Sequence, residues 1–133
     1  MRIGIPVVLA IALIGCSLPV NYSSASISTN AFHLLMDRGE YAAIYDSATP
    51  TFRAGLKRDQ AIGFLTRVHQ KLGACGDTPI SVLGYQVTTS GTFITTASSR
   101  PCAKGVLSEQ FLWILFEKRA LLVRYNAKSP LLD

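Results

Sequence analysis

The chain is short of the residues and motifs on which most enzyme chemistry depends. Its two histidines, His33 and His69, have no cysteine or carboxylate at ligand spacing, so no metal site is expected. No C-x-x-C, G-x-S-x-G, Walker loop, Rossmann glycine pattern or H-E-x-x-H occurs. Redox, serine-hydrolase, nucleotide and zinc-protease chemistry therefore lack their signatures, and no cofactor is expected. Basic residues outnumber acidic ones 13 to 8, for a formal net charge of +5. Yet no basic block forms: Arg53, Lys57, Arg58, Arg67, Lys71, Arg100, Lys104, Lys118 and Arg119 are scattered, with no aromatic-interleaved motif. That pattern reads as a solvated surface and excludes nucleic acid as the expected partner.

A spanning apolar run is also missing. Ile3 to Ile14 is almost wholly aliphatic behind a single charge at Arg2, but it is shorter than the roughly 20 residues a transmembrane helix needs. A basic start, an apolar core and a small-residue cleavage site make up a signal peptide. The core ends in Leu13-Ile14-Gly15-Cys16, which closely resembles the lipobox of bacterial lipoproteins. The resemblance implies that residues 1–15 are removed and that Cys16 carries the lipid, with palmitate-type acyl chains. Several such chains give stable anchoring where one gives marginal binding. Ser17 stands where an inner-membrane retention signal would have Asp, which implies the outer membrane, on the periplasmic side of the cell envelope. The alternative is an ordinary secretory signal with a chance cysteine.

With Cys16 assigned to lipid, Cys75 and Cys102 remain, and an exported protein favours their pairing. The bridge would close a loop of about 28 residues, worth about 3.5 kcal/mol in the chain-entropy model. The chain after the leader is long enough for one domain. Residues 16–28 are Ser-rich and read as a lipidated tether, and residues 29–133 as the folded domain, with Thr29 or Asn30 capping its first helix. Phe32, Leu35 and Met36 share one helical face. A second helix covers Glu40 to Tyr45 and ends before Pro50. Ala61, Leu65, Val68 and Leu72 mark the clearest helix, stopped at Gly73. Beyond Pro79 the period changes to two. Strands are expected around Leu83–Val87, Thr92–Ser98, Gly105–Phe116 and Ala120–Asn126, the third central and helix-covered on one side. The fold class is α+β: N-terminal helices packed on a curved four-stranded antiparallel sheet.

The residues Gly39-Glu40-Tyr41-Ala42-Ala43-Ile44-Tyr45-Asp46, then Phe52-Arg53, then Leu72-Gly73, and finally Val123-Arg124-Tyr125 resemble the cystatin-like roll. The likeness is to the small exported members of the nuclear-transport-factor-two-like superfamily of unassigned function, over about residues 29 to 128. Glu117-Lys118-Arg119 departs from the acidic-Gly turn usual there, and many relatives lack the cysteine pair. In that superfamily the sheet curls around a conical pocket, which in ketosteroid isomerase holds an acid/base pair. The resemblance therefore makes Glu109 a candidate general base, with Tyr41 or Tyr45 beside it and Asp46 and Tyr85 as further polar candidates. Glu109 shares strand parity with Leu107, Phe111, Trp113 and Leu115, and apolar neighbours raise a carboxyl pKa. The alternative places Glu109 at an open rim, paired with Arg100, Lys104 or Arg124. Related rolls dimerise through their sheets, and Phe93, Ile94, Leu112, Ile114 and Phe116 could supply such a surface to a second copy or an envelope protein. Two functions follow. One is a membrane-anchored, non-enzymatic binding or interaction module; the other is a small isomerase- or hydrolase-like enzyme using Glu109 with a tyrosine.

Overall fold

The computed structural model describes residues 22–133. The expected leader, the Leu13–Cys16 motif with Cys16 as its expected lipidation site, and Ser17 lie outside the described residues. Four helices come first: α1 (Tyr22–Asp37), α2 (Tyr41–Ser47), α3 (Pro50–Gly55) and α4 (Arg58–Leu72). Four strands follow: β1 (Ser81–Thr88), β2 (Gly91–Pro101), β3 (Val106–Phe116) and β4 (Arg119–Lys128), with a last 3-10 turn at Pro130–Leu132. The strands form one antiparallel sheet in the order β1-β2-β3-β4. The helices pack on one face of this curved sheet, the expected α+β architecture. Among the described residues no helix is long and apolar enough to cross a membrane.

The first helix begins inside the stretch expected as tether. Ala25, Thr29, Phe32 and Met36 are buried, at steps of four, three and four, which put them on one helical stripe. Half of that stripe is alanine and threonine, so apolar periodicity shows only its second half. Thr29 is consequently a mid-helix contact and not a cap: its hydroxyl bonds the Ala25 carbonyl and the Thr96 hydroxyl at 2.8 and 2.9 Å. The neighbouring serines face the hairpin between β3 and β4. Ser24 donates to the Lys118 carbonyl and Ser28 to the Ala120 carbonyl.

Where three helices were expected there are four. Pro50 fits the first turn of α3, where no intrahelical N–H is needed, and Thr49 caps it by accepting from Phe52 N–H. Arg53 reaches back to the carbonyls of Asp46 and Ala48 at the end of α2. The longest run of the pattern, α4, matches its expectation: Ala61, Leu65, Val68 and Leu72 are its buried residues. It ends at Gly73, whose φ of 74° is left-handed and whose N–H bonds His69 O at 2.8 Å.

Strand β3 is central, between β2 and β4. Ile94, Thr96, Ser98 and Arg100 of β2, and Leu107, Glu109, Phe111 and Trp113 of β3, are buried on the helix side. The two sheet edges differ. On β4 and its turn the carbonyls of Lys118, Ala120 and Leu122 accept from Ser24, Ser28 and Thr49. On β1 all eight residues are exposed, and no strand lies beyond it among the described residues. Cys75 and Cys102 lie at disulfide distance, joining the end of α4 to the β2–β3 turn. Backbone bonds reinforce that junction: Gly76 N–H to Pro101 O, Ala103 N–H to Ala74 O, and Lys104 N–H to Leu72 O.

Candidate functional site

Glu109 enters the core because β3 alternates. With Leu107, Phe111 and Trp113 turned inward, the residue between them in parity must turn inward too. Its side chain is 1% exposed. One carboxylate oxygen lies 2.8 Å from His33 Nε2 and accepts from the Ser98 hydroxyl at 3.1 Å. The other accepts from the Tyr125 hydroxyl at 2.5 Å. An ionised carboxylate only accepts, so in that state His33 Nε2–H must be the donor. Burial first, then the facing Glu109 carboxylate and its hydrogen bond, raise the Tyr125 phenol well above its ordinary value.

The rim pairing considered from sequence does not form. Arg100 is itself 2% exposed and spans from Asp37 to the carbonyls of Gly76 and Cys75. Lys104 Nζ donates to Gln70 O, and Arg124 is exposed on the far face of the sheet opposite Leu112. The two tyrosines expected near Glu109 are also elsewhere. The Tyr45 hydroxyl donates to the carbonyls of Arg53 and Leu56. Tyr41 packs on the His69 ring, and burial raises its pKa. Asp46 is exposed, and its hydrogen bond to Arg58 holds its carboxyl below the usual value. Tyr85 stacks edge-on against Tyr22. The tyrosine that meets Glu109 is Tyr125, and its histidine is His33. The signal for His33 was its helical face, shared with Phe32 and Met36. The signal for Ser98 was the β2–β3 register, which sets it directly opposite Glu109.

A second polar chain crosses the same interface. Trp113 Nε1–H donates to the Thr96 hydroxyl at 2.9 Å, and Thr96 meets Thr29. Among the described residues no buried side-chain nitrogen or oxygen lacks a partner. These groups hold α1 to the sheet. Among the described residues no cluster of three metal-ligating side chains forms.

Searches against protein-family models and curated proteins find no match.

One of the open concavities is mostly apolar. A groove of about 340 Å³ runs between α1, α2 and the β3–β4 hairpin, floored by Phe32, Ile44, Trp113 and Leu122, with Ile27 and Leu35 on its walls. Ile27 is 67% exposed, high for an isoleucine on a packed helix. The expected sheet surface is only partly as read. Phe93, Leu112 and Ile114 lie on the face away from the helices, half-buried against one another, and Phe116 is exposed. Ile94 does not belong with them. Paired with Trp113 and fully buried, it is a core residue on the helix side.

Proposed function

We propose that this chain is a lipid-anchored bacterial envelope protein acting as a non-enzymatic binding module, with the groove between α1, α2 and β4 taking an apolar ligand. The observation that carries the reading is a contrast. The buried carboxylate Glu109 is sealed and fully bonded, while an apolar groove opens to solvent between α1, α2 and the β3–β4 hairpin. A general base must reach the proton it removes, and a 1% exposed Glu109 offers no approach. Ligand clefts are concave, mostly apolar and largely pre-formed, and the groove fits that description. The anchor rests on the Leu13–Cys16 resemblance. It is tested by the intact mass of protein extracted from membranes, which should begin at Cys16 and carry acyl chains. Binding is tested with the uncharged fluorescent probe N-phenylnaphthylamine. Its emission should rise with the wild type and not with Ile27→Asp, a change at an exposed residue that should leave the melting temperature alone. A probe signal indifferent to Ile27 removes the groove from the account.

A second reading has its own support. Phe93, Leu112, Ile114 and Phe116 form an apolar cluster on the sheet face that the helices leave uncovered. A second copy or an envelope protein could cover it. Ile114→Lys should then dissociate a dimer or co-purifying complex in crosslinked envelopes; a wild-type monomer without partner there ends this reading.

A further inference from the structure

Between Asp77 and Arg100 the chain carries no Asp, Glu, Lys, Arg or His. That stretch holds all of β1, its hairpin turn and most of β2, and residues 81–90 are exposed throughout. Tyr85 and Val87 stand opposite Ile94 and Thr92, on the helix side of the sheet. Yet both are exposed while Ile94 is buried: the helix layer that covers β2 leaves β1 open. Of the ten large hydrophobic side chains exposed among the described residues, five are Tyr22, Val82, Leu83, Tyr85 and Val87. Four of these lie on β1, and Tyr22, at the start of α1, meets the Tyr85 ring edge-on at 5.7 Å. Scattered apolar residues need no explanation, but a contiguous patch marks a contact surface. A strand edge left in water is ordinarily guarded by charge, Lys above all, and β1 has none.

The place of this patch says what covers it, on the reading that Cys16 is lipidated. Cys16 precedes Tyr22 by six positions, which an extended chain spans in at most about 21 Å. An acyl anchor there keeps Tyr22, and Tyr85 against it, within that reach of the bilayer. The uncharged apolar surface thus begins where the chain from the anchor enters the fold. Tyrosine is enriched at the level of lipid headgroups, with an apolar ring on one side and a wet hydroxyl on the other. The open edge of β1 sets the depth. Its backbone N–H and C=O groups find water or headgroup oxygens at that level and would find neither in hydrocarbon. We propose that the domain rests on its own membrane through β1, with Tyr22, Tyr85 and Val87 at the headgroup level. A protein strand is the competing occupant of this edge; nearness to the anchor and the paired tyrosines favour the lipid surface.

The full-length protein, extracted from membranes, is reconstituted in phosphatidylcholine vesicles with and without bromine on the acyl chains. Trp113 is the only tryptophan in the chain, so the wild type supplies the baseline. Two variants each add one tryptophan: Val87→Trp on the patch, and Val106→Trp at the opposite end of the sheet. Both replace exposed valines on strands, and matching thermal melts check the fold. Brominated lipid should remove most of the emission gained with Val87→Trp and leave that gained with Val106→Trp. Adding Tyr85→Glu to Val87→Trp should restore the emission, because a carboxylate resists leaving water. Equal quenching at the two positions, or quenching at neither, overturns the proposal. A blue-shifted Val87→Trp emission that bromine leaves untouched means that protein covers β1, and overturns the lipid surface as its occupant. Intact mass separates these results from the fate of the anchor. A protein without acyl chains on Cys16 overturns the anchor and this proposal together, while an acylated protein with unquenched Val87→Trp emission overturns the proposal alone.

Discussion

Glu109 accepts from Ser98, Tyr125 and His33 in a site closed to water, so its replacement is felt through the donors it leaves behind. Glu109→Gln turns one acceptor into an N–H₂ facing another donor, and should cost about 1–3 kcal/mol, read as a lower urea midpoint. A lost phenotype at an unchanged midpoint is instead what a working base would give. The phenol beside it contributes to stability at alkaline pH. Tyr125 has its pKa raised in the fold, so the folded chain keeps that proton after the unfolded chain has released it. Its contribution is complete below the unfolded value of about 10 and shrinks as pH climbs from there toward the folded value. Tyr125→Phe should flatten the fall in melting temperature above pH about 10; an unchanged slope would show that other groups govern it.

Among the elements, α4 and the central strand were legible because large aliphatic side chains write their period plainly, as Leu65, Val68 and Leu72 do. The start of α1 was not. Its contacts run through Ser24, Ala25, Ser28 and Thr29, residues that composition assigns to linkers, and they pack because small side chains let the helix approach the hairpin. A hydroxyl bonded to a strand carbonyl leaves no trace in hydropathy. The Glu109 cluster was half legible: strand parity set the carboxylate on the face of Leu107, Phe111 and Trp113 but left an open rim as the alternative, and its partners come from α1, β2 and β4, which only the tertiary register unites. Ser24→Ala combined with Ser28→Ala should cost about 1–2 kcal/mol, one hydrogen bond each, measured by denaturant unfolding. No change would return this segment to the role of tether.

For the molecule as a whole, the link between Cys75 and Cys102 fastens α4 to the sheet, across a sequence separation of 27. Cys75→Ser, or reductant on the wild type, should lower stability by about 3.5 kcal/mol in the chain-entropy account; an equal melting point with and without reductant would show the thiols free in the protein as isolated. The unequal sheet edges have a different kind of consequence. An open strand edge is a template for further strands, and among the described residues β1 presents one. Side chains of Ser24, Ser28 and Thr49 occupy the carbonyls of Lys118, Ala120 and Leu122 at the start of β4, whereas β1 is exposed along its whole length. Two molecules that met at β1 would make a doubled sheet whose outer strands are both β4, each covered over its first residues by α1 and Thr49. Among the described residues the two edges are therefore unequal templates: growth of the sheet is favoured at β1 and hindered at the start of β4.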